Sequence, residues 1–575
     1  MKAMLSHLVL PFIFFCTVFL MLSERLIAQM RPTVAQKAMV VSAQRLASEA
    51  GIAMLKKGGN AIDAAVATEL ALAVTHPIAG NLGGGGFMLI RLANGEVYAL
   101  DYREKAPLKA TRTMYLDSAG NPLPDKSKIG HLAVGVPGTV AGIVEAHRRF
   151  GKLPFKMVVQ PAIDLAEKGF PLTRFKAEQL NRFAALFARF EGSRKYFTKG
   201  DTSKKWQEGD LFVQKDLAET LKRIRDKGRD GFYKGKTAEL IIAEMQRGGG
   251  LISQEDLDKY EPKWREPIKG SYRGYEVASM SPPSAGGIGL IQLLSFVEPY
   301  NLKEMGFQSS ETIHLFGEAM RRVYADRVLL GDPDFVKIPV QAMLDKAYLQ
   351  ERWKSFSPDT ITPSSAISYG KMLTAESTET THYSVVDAEG NAVATTTTLN
   401  GGFGSFVAVT GAGFLLNNEM DDFSLKPGFA NPGIQGYVGL MGSEANSIVP
   451  QKRMLSSMSP TILTKDGKLF MVLGTPGGST IITQVFQVIT NVIDFGMNIQ
   501  EAVSAKRIHH QWQPDDMRYE KDALRKDVIC ALERRGWKLR ELPGYFGAVD
   551  AIMVGADGLL YGGADPRNED AAVGF

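Results

Sequence analysis

A threonine at an abrupt change of pattern is the first candidate for chemistry in this sequence. Thr380 follows a Ser/Thr/Pro-rich stretch at about 358–379 that has no apolar period, and a strand-like run begins at 381–387. A β-branched residue at the start of a strand is ordinarily only a sheet residue. Its position after an exposed linker supports a further hypothesis. We expect the bond between Glu379 and Thr380 to be cut, which makes Thr380 a new N-terminal residue with a nucleophilic hydroxyl.

Such a cut would also supply the base that the hydroxyl needs. A threonine hydroxyl is a poor nucleophile by itself, whereas an α-amine has a pKa of about 7.7–8.0. On a freed Thr380 the two groups belong to one residue, so the amine is within reach of the hydroxyl proton. Cleavage would therefore create the catalyst.

Phosphate-loop and metal chemistry are not indicated. Glycines 83–86 precede a strand, lack the phosphate-loop spacing and are not followed by Lys-Ser/Thr; we expect them to permit close backbone packing. The eight histidines include no His-Glu-x-x-His, and the adjacent His509 and His510 would point to opposite faces of a strand. We predict neither a metal nor a cofactor.

The elements before Thr380 begin with two buried helices within residues 40–77, the first ended by Gly58-Gly59 and the second capped by Asn60. Strands at 87–92 and 97–103 flank an Asn-Gly hairpin signal. Residues 137–258 are predicted to be mostly helical, and 271–280 to form one strand.

After Thr380 the strand pattern dominates. Runs at 381–387 and 391–399 predict one hairpin, and runs at 457–463 and 468–473 predict another. Helices are expected at 478–494, 499–506 and 522–535. Helical cover on both sides of antiparallel strands predicts a layered sandwich made jointly by both halves.

The first residues have the pattern of a signal peptide. Residues 8–22 are an uncharged apolar run after Lys2, too short for a comfortable membrane span, and Ala28 offers a cleavage point. We therefore expect 1–28 to be removed and the protein to be periplasmic or secreted; an uncleaved anchor, which would place the protein at a membrane, is the alternative.

The net charge and the cysteine content indicate neither a nucleic-acid partner nor a disulfide. Loss of residues 1–28 lowers the net charge from +5 to +4, with 65 basic and 61 acidic residues, so no nucleic-acid partner is expected. Cys530 would then be the remaining cysteine, which excludes an intrachain disulfide. We expect a buried thiol there.

Seven motifs together resemble the γ-glutamyltranspeptidase family over nearly the whole chain after the signal segment. They lie at 80–88, 101–104, 380–387, 399–404, 417–423, 456–460 and 476–479. The resemblance implies an N-terminal nucleophile hydrolase of α+β class, a four-layer αββα sandwich made as one precursor that cuts itself. The products would be a large subunit, 29–379, and a small catalytic subunit, 380–575, which form a heterodimer.

The resemblance also implies roles for particular residues in binding a γ-glutamyl donor. Arg103 would bind the donor α-carboxylate with its planar guanidinium, helped by the hydroxyls of Ser456 and Ser457. Three oxygen-bearing side chains would bind the α-ammonium: Asn400, Glu419 and Asp422. Without the family match, Arg103 beside Glu104 would be a surface ion pair of little energetic value.

The remaining roles concern the reacting bond. Backbone N–H groups of Gly477 and Gly478 would form the oxyanion hole, although a simple tight turn is the alternative. The Thr398 hydroxyl would hold that of Thr380. Tyr437 ends a Gly/Pro-rich stretch, 427–437, that resembles a lid loop in some relatives; a solvated loop is the alternative.

The sequence therefore predicts transfer of the γ-glutamyl group of glutathione, or of another γ-glutamyl amide, to water, an amino acid or a peptide. No cofactor is needed. Two alternatives remain: an acylase of the same superfamily that acts on β-lactam side chains, and an unprocessed binding protein anchored at the envelope.

Overall fold

Two seven-stranded antiparallel sheets face each other in the computed structural model, which describes residues 31–368, 379–429 and 440–575. In spatial order the first sheet contains β1 (Thr33–Ala35), β18 (Leu560–Ala564), β17 (Asp550–Val554), β13 (Lys468–Gly474), β12 (Thr461–Lys465), β9 (Tyr275–Ser279) and β8 (Ile268–Tyr272). The second contains β19 (Ala571–Gly574), β2 (Met39–Ser42), β10 (Glu379–Val386), β11 (Ala392–Asn400), β3 (Gly85–Arg91), β4 (Val97–Asp101) and β7 (Lys263–Arg265). Two small sheets are formed by β14 (Ile508–His509), β15 (Met517–Tyr519) and β16 (Leu539–Glu541), and by β5 (Phe170–Pro171) and β6 (Leu211–Phe212).

The helices before Thr380 are α1 (Arg45–Lys56), α2 (Ala61–Thr75), α3 (Pro124–Lys128), α4 (Thr139–Phe150), α5 (Phe155–Lys168), α6 (Arg174–Arg182), α7 (Ala184–Phe187), α8 (Glu191–Phe197), α9 (Lys215–Lys227), α10 (Asp230–Tyr233), α11 (Gly235–Gly248), α12 (Gln254–Asp258), α13 (Gly286–Val297), α14 (Leu302–Met305), α15 (Ser310–Asp326), α16 (Val340–Leu344) and α17 (Lys346–Trp353). After Thr380 come α18 (Ile481–Ile493), α19 (Ile499–Ser504) and α20 (Lys526–Arg534). Short 3-10 helices span His131–Ala133, Arg327–Leu329, Ser364–Ala366, Glu419–Asp422 and Gly478–Thr480.

The layers have the predicted order. Strands β10 and β11 pack against β13 and β17 between the sheets. Helices α1 and α2 cover the outer face of the second sheet, and α13, α18 and α19 cover the first. The α+β class and the four-layer αββα sandwich are confirmed.

Each sheet combines strands from both sides of Thr380. In the second sheet, β2 lies between β19 and β10, and β11 pairs with β3, so strands from the two parts of the chain are interleaved. The first sheet is also mixed, because β9 pairs with β12 and β1 with β18. Neither half has a core of its own, so backbone ladders and buried apolar contacts would hold the two pieces together after a cut.

The second helix illustrates how local sequence sets the start of an element. The Asn60 side chain accepts hydrogen bonds from the N–H groups of Ile62 and Asp63, and Asp63 completes a capping box. Every residue of α2 is buried, because the helix lies among α1, α5 and the β10–β11 pair. The prediction of a buried helix here is confirmed.

Some local predictions are wrong. The expected strand at 271–280 is a hairpin, because Arg273 and Gly274 turn with φ of 51° and 80°. Arg103 lies beyond the end of β4 rather than within a strand. Cys530 is exposed, since α20 buries Val528 and Leu532 and position 530 lies on another face.

The glycine run at 83–86 provides close packing, as predicted. A Cβ atom at Gly84 would overlap the carbonyl oxygen of Thr398 in β11. The run therefore lets the backbone pack directly against the hairpin of β10 and β11. Within the described ranges, no helix is long and apolar enough to cross a membrane; residues 1–28 lie outside them.

Glu69 is a buried carboxyl group under the β10–β11 pair. Its side chain is fully buried in α2, where the nearby hydroxyls of Thr397 and Tyr383 only partly offset the cost of burying a charge. Burial raises the pKa of Glu69 from 4.5 to about 7.

We expect Glu69→Gln to change how stability depends on pH. The unfolded carboxyl ionises near pH 4.5 whereas the folded one stays protonated until about pH 7. The free energy of unfolding of the wild type should therefore fall, relative to that of the variant, by about 3 kcal/mol across this window. Urea unfolding from pH 4 to 8 measures this difference. Glu49→Gln, at an exposed position of α1, is the control. If the free energies of unfolding of wild type and Glu69→Gln depend on pH in the same way, the expectation is refuted.

Candidate active site

The bond predicted to be cut joins the first two residues of strand β10. Strand β10 includes both Glu379 and Thr380, and its register with β11 shifts between them: Glu379 pairs with Asn400, and Thr380 with Thr398. Leu399 thus has no partner in β10, and Asn400 has a positive φ of 73°. A bulge of this kind takes the peptide group out of the regular ladder and is common beside active sites.

Alternation along β10 directs Thr380 into the space between the sheets. Ser384, four residues on, donates to the carbonyl oxygen of Asp550 in the first sheet at 3.2 Å, so Thr380, His382 and Ser384 face that sheet. Thr380 is 8% exposed, and its Oγ1 has no hydrogen-bond partner in the described part of the chain. A buried hydroxyl without a partner is available for chemistry.

Thr398 lies directly opposite Thr380 in the ladder. Its Oγ1 accepts a hydrogen bond from the N–H of Asn400 at 2.7 Å, which fixes its orientation beside the bulge. Since Thr380 Oγ1 has no described partner, the predicted contact between the two hydroxyls is not formed in this structure. Its role in positioning the nucleophile stays a prediction.

Arg103 meets two carboxylates in a buried cluster. Its Nη1 donates to Glu419 and its Nη2 to Asp422, and all three side chains are almost completely buried. Glu104 Oε2 lies 3.7 Å from Arg103 Nη1. Opposite charges thus lie side by side, which is the arrangement that a ligand bearing an ammonium and a carboxylate requires.

Backbone contacts hold the arginine in this position. Its N–H donates to Asp101 Oδ1 at 2.9 Å, and its carbonyl oxygen accepts from the Tyr260 hydroxyl at 2.8 Å. Its guanidinium also donates to the carbonyl oxygens of Met454 and Leu455 at 3.4 and 3.3 Å. The arginine is therefore fixed between the end of β4 and the segment before β12.

Glu104 adjusts the charge of the cluster. Burial raises the pKa of Glu104 from 4.5 to about 8, with Arg103 opposing the shift. The raised pKa favours the neutral form of this carboxyl, which places less negative charge beside Arg103. The acidic turn itself is held by Asn417, whose Oδ1 accepts from the N–H of Glu419 at 3.0 Å.

The other predicted binding residues surround this cluster. Asn400 Nδ2 donates to the carbonyl oxygen of Asn418 at 2.9 Å, which leaves Oδ1 as the atom that can accept from a ligand. Ser456 Oγ accepts from the N–H of Met458 at 3.1 Å, and Ser457 Oγ accepts from Arg327 Nε at 3.3 Å. Both serines are buried.

Gly477 and Gly478 form the turn between β13 and α18. Their φ angles are 126° and 53°, and a Cβ at Gly477 would lie 2.6 Å from Gln484 Nε2. Thr480 Oγ1 donates to the carbonyl oxygen of Gly477 at 2.7 Å. The N–H groups of both glycines lack an acceptor among the residues described here. Free donors at a helix start suit a developing negative charge.

These residues come together at Thr380. One cavity is lined by all of the predicted catalytic and donor-binding residues except Gly477: Arg103, Thr380, Thr398, Asn400, Glu419, Asp422, Ser456, Ser457 and Gly478. Gly477 and Thr380 line an adjoining cleft of about 620 Å³. Tyr437, the predicted lid residue, lies outside the described residues.

Sequence reasoning missed several residues of the site. Met458 and Ile481 also line the donor-side cavity, and Asn417 orients the acidic turn. Met458 and Asn417 lie inside two of the seven motifs and Ile481 lies two residues after a third, but nothing in their residue types assigns them a role. The residues of the adjoining cleft that lie far from Thr380 in sequence were also missed, because only the fold brings them there.

His382, two residues after Thr380, lies between two hydroxyl groups. His382 is buried between Thr396 Oγ1 at 2.9 Å and Ser384 Oγ at 3.1 Å, and burial lowers its pKa to about 3. It is neutral at physiological pH. In the described part of the chain, no group of three or more His, Cys, Asp or Glu is arranged to hold a metal ion.

Facing antiparallel sheets between helical layers, with a threonine presented on a central strand, define the class of N-terminal nucleophile hydrolases. The sequence profile described as Gamma-glutamyltranspeptidase matches residues 47–575. The chain belongs to this family and is an enzyme, which confirms the predicted resemblance.

Known proteins agree with this assignment. The glutathione hydrolase proenzyme of Escherichia coli K12 is 50% identical over 548 residues, which cover 95% of this chain and 93% of that protein. The Helicobacter pylori gamma-glutamyltranspeptidase structure is 52% identical with a TM-score of 0.56, over 57% of this chain and 94% of that one. The cephalosporin acylase of Bacillus halodurans has a TM-score of 0.82 at 28% identity and covers 95% and 97% of the two chains.

Gly477→Ala should reduce turnover of a γ-glutamyl amide. The new Cβ would collide with Gln484 Nε2 and displace a backbone donor, so we expect kcat to fall about 100-fold to 1,000-fold. Steady-state kinetics measure this. Gly467→Ala is the matched control, because its φ is 74° but nothing lies within 4 Å of its Cβ. If both variants keep wild-type kcat, the oxyanion role of Gly477 is wrong.

Proposed function

We propose that this enzyme cuts itself between Glu379 and Thr380 and then transfers the γ-glutamyl group of glutathione, or of a related γ-glutamyl amide, to water, an amino acid or a peptide. The observation that carries the proposal is the cavity in which Arg103, Glu419 and Asp422 lie together beside Thr380. The family and the relatives named glutathione hydrolase support it.

The charged cluster matches the α-carbon end of a γ-glutamyl group. That end carries a carboxylate and an ammonium on one carbon. Arg103, helped by Ser456 and Ser457, would take the carboxylate, and Glu419 and Asp422 the ammonium. When a zwitterionic ligand binds, its two charges replace the ion pairs between Arg103 and the two carboxylates. No buried charge is then left uncompensated. Asn400 Oδ1 supplies a further acceptor for the ammonium.

Self-cleavage begins from the buried Thr380 hydroxyl. Its Oγ attacks the carbonyl carbon of Glu379, the C–N bond breaks, and the proton passes to the nitrogen, which becomes the α-amine of Thr380. Water then hydrolyses the ester and releases a carboxylate at Glu379. The bulge supports this step, because it takes the peptide group out of regular strand pairing.

Turnover uses the freed amine as the base. Thr380 Oγ attacks the γ-carbonyl carbon of the donor, and the Gly477 and Gly478 N–H groups stabilise the oxyanion. The donor amine leaves with the proton, and a γ-glutamyl ester remains on Thr380. Water or an incoming amine attacks this ester, the bond to Oγ breaks, and Oγ regains a proton. Thr398 would position the hydroxyl throughout.

We also propose the accompanying processing and location. Residues 1–28 form a signal peptide, and the protein is periplasmic or secreted. Cleavage yields fragments 29–379 and 380–575, which stay together as a heterodimer because both contribute strands to both sheets.

An acylase for β-lactam side chains is the competing enzymatic reading, since relatives of that kind share the fold. A glutaryl side chain has no ammonium, so it would leave Glu419 and Asp422 without the added cation. The paired carboxylates therefore favour the γ-glutamyl donor. A binding protein without catalysis would give no reason for the free glycine N–H groups beside Thr380.

Replacement of Thr380 by Ala should abolish both cutting and turnover, because it removes the atom that forms both esters. A denaturing gel of wild-type protein should show two fragments, and N-terminal sequencing should find Gln29 and Thr380. The variant should give one band. Thr395→Val on the neighbouring strand is the control, since that hydroxyl is buried without a described partner. Active wild type that runs as a single band would refute the mechanism.

Donor recognition is tested by Arg103→Lys with γ-glutamyl-p-nitroanilide and glutaryl-p-nitroanilide. Lysine keeps the charge but loses the planar two-pronged contact, so KM for the γ-glutamyl substrate should rise about 10-fold to 100-fold while self-cleavage persists. Arg112 forms an exposed ion pair with Glu444, so Arg112→Lys should change neither this KM nor self-cleavage. Faster release from the glutaryl substrate by wild type would favour the acylase instead.

A further inference from the structure

A second cavity reaches Thr380 beside the donor pocket. This cleft, of about 620 Å³, is lined by Thr380, Gly477 and residues of three distant segments, at 76–79, 175–183 and 545–568. It is large enough for a dipeptide. We call it the amine cleft, because the following argument assigns it to the amine side of the reaction.

The position of the nucleophile assigns the two cavities to different parts of the substrate. If the α-carbon end of the donor occupies the pocket of Arg103, its γ-carbonyl lies at Thr380. The amine portion must then extend through the other opening at Thr380, which is the amine cleft. The acceptor that attacks the ester from Thr380 enters the same space, because it forms the same bond in reverse.

The charge of the amine cleft is positive. Its described lining contains no Asp or Glu side chain and includes two guanidinium groups, those of Arg182 and Arg567. Arg567 is compensated, because it pairs with Glu520 at 2.6 Å and Asp565 at 3.0 Å. His76 adds no charge at neutral pH, because burial lowers its pKa to about 3.

Arg182 is the cation of this cleft that no carboxylate of the described residues neutralises. It is exposed at the end of α6, and within the described ranges no acidic side chain forms an ion pair with it. Its helix is anchored: Asn181 Nδ2 donates to the carbonyl oxygen of Trp206 at 2.8 Å, and Lys176 pairs with Glu569 at 2.9 Å. A fixed helix thus presents a guanidinium that can bind an anion without breaking an ion pair to any described residue.

We propose that Arg182 binds the free carboxylate of the amine component, so that the amine cleft selects amino acids and peptides with an unblocked C-terminus. This inference rests on the proposed function. A guanidinium forms two parallel hydrogen bonds with a carboxylate but not with a carboxamide. The amides of Gln179 and Asn568, also in the lining, supply polar contacts for either ligand.

The test compares glycylglycine with glycylglycinamide as acceptors, with γ-glutamyl-p-nitroanilide as donor and γ-glutamyl products followed by mass spectrometry. Wild type should have the lower KM for glycylglycine. Arg182→Ala should raise this KM about tenfold, the value of one charge-assisted contact, and change the KM for glycylglycinamide less than twofold. Arg182→Lys should lie between wild type and Arg182→Ala.

The matched control is Arg174→Ala. Arg174 is exposed on the same helix, pairs with Glu178 at 2.9 Å and does not line the cleft; its loss should change neither acceptor KM. An equal KM ratio in wild type and Arg182→Ala, with transfer still occurring, overturns the role of Arg182 and leaves the proposed function intact. If wild type releases no p-nitroaniline even without an acceptor, the proposed function and this inference both fail.

Discussion

The antiparallel pairing of β10 with β11 is the contact on which the rest of this structure depends. It places Thr380 at the centre of a seven-stranded sheet, and the pairing of β10 with β2 on its other side joins the two halves of the chain. The ladder is regular from Thr380 to Val386 and irregular just before it. A bond can therefore be cut at the edge of the ladder while the pairing that positions the nucleophile survives.

The second constraint is the burial of opposite charges next to this hairpin. Removing Arg103, Glu419 and Asp422 from water costs several kcal/mol per ion, and mutual attraction offsets this only when the geometry is good. Apolar residues of similar volume would stabilise the fold as well or better. The proposed binding of a γ-glutamyl donor gives this buried cluster a purpose, and that proposal rests on the site rather than on the fold.

Periodicity and turn chemistry predicted most elements near the site. The Asn60 cap, the hairpin at Asn94-Gly95 and the strands around Thr380 follow from local residue types, because caps and tight turns are decided within a few residues. The wrong predictions concern a turn with a short sequence signal and a residue whose burial had to be predicted. The turn at Arg273-Gly274 interrupts an otherwise continuous strand pattern, and the exposure of Cys530 depends on which face of α20 meets the core.

By itself, the sequence determined the family and predicted Thr380 as the nucleophile with the residues around it, because these lie in motifs whose residue types carry their chemistry locally. The tertiary structure decided how they act together: the partner of Thr380 across the ladder, the pairing of Arg103 with two carboxylates more than 300 residues away, and the free glycine N–H groups. It alone revealed the amine cleft with Arg182. Contacts between distant segments depend on sheet order and helix packing, and no local pattern of residues encodes those distances.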